Sequence, residues 1–149
     1  MKHSVCLNNF ICEKAKHIID KQKEKVNKGL KHFCKPAYEA TIPVILYPDD
    51  NKNQPLERFG NIGEIVEDEY GCFQTKFFRF EKVDEEECIA VLSLLRPLDE
   101  GGCLVDDICD VYRLERTRFC IKVDLSTISD VQLLSPVLVE RQFPHPSPK

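Results

Sequence analysis

Arg118-Phe119-Cys120-Ile121-Lys122-Val123-Asp124-Leu125 alternates between polar and apolar positions along its whole length. Successive side chains of a strand point to opposite faces. Phe119, Ile121, Val123 and Leu125 therefore share one side, and Arg118, Cys120, Lys122 and Asp124 share the other. One dry face and one wet face is the pattern of a strand in an antiparallel sheet covered on a single side. The same parity places Cys120 among charges, where a neighbour can reach its thiol and where Arg118 and Lys122 favour the thiolate.

Working outward, residues 88–95 (CIAVLSLL) are nearly continuous apolar sequence, as expected of a strand buried on both faces. Cys88 shares parity with Ala90, Leu92 and Leu94 and reads as a core residue. Residues 111–114 and 118–125 read as two strands, with a hairpin turning at Glu115-Arg116-Thr117. Residues 73–83 read as one long strand, ended by the acidic run at 84–87. Residues 41–47 (TIPVILY) form a β-branched stretch that stops at Pro48-Asp49-Asp50-Asn51. Pro43 assigns this stretch to a sheet edge, because proline has no N–H for the ladder. Residues 133–139 supply the last strand. In Phe59-Gly60-Asn61-Ile62-Gly63-Glu64, the two glycines allow positive φ or close backbone approach.

The first segment has a different period. Ile11, Ala15, Ile18, Ile19, Val26, Leu30 and Phe33 recur at helical steps and leave the lysines on the other face. Asn8 or Asn9 caps its start and Pro36 lies past its end. The expected architecture is mainly β (α+β): an N-terminal amphipathic helix, then a single antiparallel β-sandwich or partly closed barrel. Three parts follow: a basic helical arm at 1–36, a β-domain at 37–142 and a flexible proline-rich tail at 143–149.

The 149 residues suit one domain, and 42% apolar with 31% charged residues is ordinary for a soluble globular chain. Residues 1–36 carry nine lysines against Glu13, Asp20 and Glu24, a net +6, and the remainder carries −10. A basic segment on an acidic body can bind nucleic acid and can equally bind its own neighbours. Removing residues 1–36 is then expected to weaken association while the β-body stays folded. No apolar run approaches the roughly 20 residues of a membrane span, and the first residues contain no signal-like apolar core. A cytoplasmic site of synthesis is expected.

Eight cysteines, Cys6, Cys12, Cys34, Cys72, Cys88, Cys103, Cys109 and Cys120, are many for a reducing compartment. None lies in a Cys-x-x-Cys pair, so no spacing selects a zinc site, and His32, Cys34, Cys103 and Cys109 would have to meet in space. His3, His17, His32 and His145 show no nucleophile-and-base arrangement with a thiol. The acidic runs at 84–87 and 106–107 read as solvated loop charge, and no phosphate-binding glycine loop is present. The basic residues of the helix lack the interleaved arginines and aromatics of nucleic-acid readers. No catalytic residue, metal ligand or cofactor is expected, and neither nucleic acid nor membrane is an expected partner.

The block Cys109-Asp110-Val111-Tyr112-Arg113-Leu114-Glu115-Arg116-Thr117-Arg118-Phe119-Cys120-Ile121-Lys122-Val123-Asp124-Leu125 resembles the CotY/CotZ family of cysteine-rich spore coat proteins. The likeness extends through Phe59-Gly60-Asn61-Ile62-Gly63-Glu64, Cys72-Phe73, Phe78-Arg79-Phe80-Glu81 and Ala90-Val91-Leu92-Ser93-Leu94-Leu95, roughly residues 40–135. It implies a structural, non-enzymatic component of the outer coat, crust or exosporium of bacterial spores. Such a protein is made in the mother-cell cytoplasm without an export signal. It then assembles with itself and with other coat proteins and is cross-linked through cysteines once exposed to oxidation. The family also implies a cysteine cluster after Val123-Asp124-Leu125, where this chain has Ser126-Thr127-Ile128-Ser129-Asp130-Val131. Cross-linking is then expected from Cys120, Cys109 and Cys103. A soluble binding module using the basic helix is the alternative.

Overall fold

The computed structural model describes residues 10–24, 40–61 and 71–143. Residues 10–24 form helix α1, whose Ile11, Cys12, Ala15 and Ile18 are buried. Val26, Leu30 and Phe33, the rest of the expected apolar stripe, lie outside the described residues, as do the residues of the tail beyond Phe143. Among the described residues seven strands follow: β1 (Val44–Pro48), β2 (Arg58–Gly60), β3 (Phe73–Thr75), β4 (Phe78–Asp84), β5 (Ile89–Leu98), β6 (Arg113–Asp124) and β7 (Ile128–Leu133). A one-turn helix, α2 (Val137–Glu140), is the last described element.

Five strands make one antiparallel sheet in the order β6-β5-β4-β1-β7, and β2 and β3 form a separate two-stranded ribbon. The fold is thus mainly β with a helix ahead of it, and the sheet stays open instead of closing into a barrel. One face of the sheet buries Leu46, Phe78, Phe80, Leu92 and Leu94 beneath the apolar side of α1 and Phe73 of the ribbon. The other carries a smaller cluster of Ile45, Phe77, Leu95, Val111 and Leu114, covered by Leu134, Leu138 and Val139. Among the described residues, no helix is long and apolar enough to cross a membrane.

Helix α1 is built into this core. Gln22, buried on its last described turn, donates from Nε2 to the Phe80 carbonyl at 3.1 Å. Its Oε1 accepts from the Ile42 N–H at 2.9 Å. Lys14 and Lys16 reach Asp130 and Glu85 at 4.0 and 3.0 Å, so part of the basic charge is neutralised by the chain's own sheet.

Four local expectations change. Residues 115–117 are not a turn, because β6 runs unbroken from Arg113 to Asp124. Its register against β5 shifts between Ser93 and Leu95, and Thr117 Oγ1 caps the irregularity by donating to the Leu94 carbonyl at 2.7 Å. The shift sets two residues of β5 against four of β6, so side-chain parity is kept and Leu114 stays on the face of Cys120. Leu114 accordingly joins the smaller cluster, whereas Val123 joins the larger.

Residues 73–83 divide at Lys76-Phe77 into β3, which pairs with β2, and β4, which pairs with β1 and β5. Residues 133–139 turn instead of extending, since Pro136 caps the start of α2. Finally, β1 is an interior strand between β4 and β7. Pro43 precedes its first residue and contributes only its carbonyl, to the Leu134 N–H at 2.9 Å, so the missing proline N–H leaves the ladder intact.

Candidate cross-linking thiols

Cys120 lies on β6 directly opposite Ser93 of β5, on the wet side that parity assigned to it. Arg118, Cys120, Lys122 and Asp124 are all exposed, while Val123 is buried and Phe119 and Ile121 pack against the main core. The surroundings of the thiol are set by Glu81. Its Oε1 accepts from Arg79 Nη1 at 2.6 Å and its Oε2 from Ser93 Oγ at 2.6 Å. Arg116 Nη2 stands 3.8 Å from Oε2. Arg79 is itself buried, held also by the Thr41 hydroxyl and the Ala40 carbonyl.

Partial burial of the sulfur, and then the Glu81 carboxylate, push the Cys120 thiol up from its ordinary value. This reverses the expectation that Arg118 and Lys122 favour the thiolate. The sulfur stands 3.8 Å from the Arg118 carbonyl, and Glu81 is the charge that acts on it. Cys120 is reachable but not activated.

Cys103 and Cys109 are exposed and lie in the connection between β5 and β6. Asp99 builds the turn around Cys103, its Oδ1 accepting the Gly101 and Cys103 N–H groups, both at 2.9 Å. Gly102, at φ 87°, supplies the left-handed residue that closes this turn. Cys109 sits in the 3-10 turn Ile108–Asp110, capped by Asp107 Oδ1 accepting its N–H at 2.9 Å. It lines an open cavity of about 520 Å³ with Asp99, Tyr112 and Arg141.

Two further thiols carry information that strand reading passed over. Cys72 is exposed just ahead of β3, and extending the parity of buried Phe73 by one residue places it outside. Cys12 is buried on α1. Cys88 is buried with Ala90, Leu92 and Leu94, as its parity indicated. Burial and a hydrogen bond with Cys12 push its thiol up to about 12. Cys6 and Cys34 lie outside the described residues. Among the described residues, no group of three or more His, Cys, Asp or Glu side chains is placed to hold a metal ion.

Comparison with known proteins gives two findings. The family described as Spore coat protein Z matches residues 8–136. Spore coat protein Z of Bacillus subtilis (strain 168) is 40% identical over 110 residues, which is 70% of this chain and 70% of the relative. No solved structure matches.

Proposed function

Because this chain belongs to the Spore coat protein Z family, we propose that it is a structural component of a bacterial spore coat. In this reading it assembles with copies of itself and with other coat proteins in the outer layers of the coat, and exposed cysteines then lock the assembly. The observation that carries the reading is the placement of Cys120, Cys109 and Cys103, all free and exposed, on a body whose core thiols are withdrawn from the surface. Cross-linking joins two thiols of neighbouring subunits. Dissolved dioxygen takes up both protons and both electrons, and one disulfide and one hydrogen peroxide form.

The alternative, a binding module acting through the basic helix, is weakened by Lys14 and Lys16, which already engage Asp130 and Glu85. The test uses the purified full chain. Electron microscopy of reduced protein should show ordered sheets or stacks. Non-reducing electrophoresis after air oxidation should show multimers that a reductant collapses. A chain that stays monomeric in both measurements overturns the proposal.

A further inference from the structure

Cys12 and Cys88 are far apart in sequence, yet they meet inside the main core. Cys12 is 4% exposed on the inner face of α1, and Cys88 is 6% exposed at the turn entering β5. Cys12 is the side chain that acts most strongly on the Cys88 thiol, which brings the two together within that core. A small apolar residue would fill either position as well as cysteine does, and burial alone would explain one thiol. Two thiols brought into one core from separate elements are a different matter.

The surrounding contacts hold the pair in place. Lys16, one helical turn beyond Cys12, bridges to Glu85 at 3.0 Å, three residues before Cys88. The same face of α1 is thus pinned twice against the β4–β5 turn. Cys88 has little freedom of its own. Its N–H donates to the Asp84 carbonyl at 2.7 Å, and its carbonyl accepts from the Leu125 N–H at 2.9 Å. Its φ of 57° is left-handed, a conformation that non-glycine residues adopt at a cost and keep only where the surroundings impose it.

We propose that Cys12 and Cys88 form an internal disulfide on oxidation, stapling the N-terminal helix to the sheet. The two thiols lose two protons and two electrons, dioxygen accepts both, and an S–S bond and hydrogen peroxide result. Burial keeps the Cys88 thiol protonated and closes both sulfurs off from solvent, so the folded reduced chain oxidises slowly and the bond forms on transient opening of α1. This pair is separate from the surface thiols that cross-link subunits, and it does not depend on a coat role. A bond between distant residues restricts the unfolded chain strongly and favours the fold.

The experiment uses the full chain carrying C72S, C103S, C109S and C120S, which removes the described surface thiols and leaves both core residues. After prolonged exposure to air, non-reducing peptide mapping should find the Cys12 peptide joined to the Cys88 peptide in a monomeric protein. The thermal midpoint should rise on the order of 10 °C over the reduced form. C12A and C88A, each added singly, should abolish that rise. If either variant fails to fold, the peptide map of the parent decides. Cys12 and Cys88 both recovered as thiols, or either one joined to Cys6, Cys34 or another chain, overturns the proposal.

Discussion

Glu81 reaches from β4 to buried Arg79 on its own strand, Oε1 accepting from Nη1 at 2.6 Å beneath the exposed face that carries Cys120. One carboxylate therefore does two things. It neutralises a guanidinium removed from water, and it raises the nearby thiol.

Glu81→Gln separates these effects. Losing the carboxylate lowers the Cys120 pKa, so alkylation at about pH 8 should accelerate roughly two- to five-fold. Buried Arg79 loses the Glu81 charge, and the stability read from urea unfolding should fall by about 1–3 kcal/mol. An unchanged alkylation rate would assign the raised thiol to burial alone.

The Cys88 thiol gives a pH signature. Its folded value of about 12 lies above the ordinary value of 9.0, so the fold favours the protonated form. Between those two values the unfolded chain ionises first and binds fewer protons than the native chain. The stabilising contribution is complete below about pH 9 and declines as pH rises toward about 12. Cys88→Ala should flatten this part of the stability profile measured by denaturant titration. A variant with the same alkaline decline would trace it to another group.

Gly60 tests the seat of the ribbon. An added Cβ would stand 2.5 Å from Phe73 Cζ. The ring has little room to yield, since the Arg96 guanidinium lies 4.7 Å from its centroid and Phe119 packs against it at 6.0 Å. Gly60→Ala should cost about 1–3 kcal/mol, read from chemical unfolding. A neutral result would mean that β2 shifts freely away from β3.

Helix α1 gives opposite outcomes depending on whether charge or burial dominates. The contrast of +6 against −10 suggests a detachable segment, but Ile11, Cys12, Ala15 and Ile18 lie in the core. Each buried isoleucine is worth about 1.5–3 kcal/mol, and the net stability of a domain is only about 5–15 kcal/mol. Removing residues 1–36 should therefore abolish a cooperative thermal transition. A truncated chain that melts cooperatively near the parent would place the helix outside the folding unit.

What was legible in the sequence was local and periodic. The alternation at 118–125, the apolar run at 88–95 and the helical phase of Ile11, Ala15 and Ile18 each report one face against one environment. The rest depends on partners distant along the chain. The bulge of β6 is set by β5, and no residue among Glu115, Arg116 and Thr117 announces it. Pro43 marks an edge only if it lies inside the ladder, which register decides. Gln22 looks like one more polar helix residue until Phe80 and Ile42 are placed beside it. Cys12 likewise acquires meaning only from Cys88. For Cys120, exposure followed from parity, but reactivity did not. Glu81 is 39 residues from Cys120 in sequence and meets it only through the β4–β5–β6 order.

The last prediction concerns the order in which thiols react. Alkylation needs a thiolate and a path to it. Cys120 is exposed on β6, with its thiol raised by partial burial and Glu81. Cys88 is closed off in the core, with its thiol pushed up to about 12. A brief pulse of iodoacetamide on the folded, reduced chain, followed by peptide mass spectrometry, should label Cys120 well before Cys88. Cys88 should label only at the rate of opening, so mild denaturant should speed its reaction far more than that of Cys120. Because Glu81 restrains Cys120, the exposed Cys72, Cys103 and Cys109 should react at least as fast. Cys120→Ser should then diminish the ladder of oxidised multimers without removing it, and Cys88→Ser should leave the ladder intact. Equal labelling of Cys88 and Cys120 in the folded chain would contradict the burial of the first. A ladder unaffected by Cys120→Ser would move the cross-link to the loop thiols.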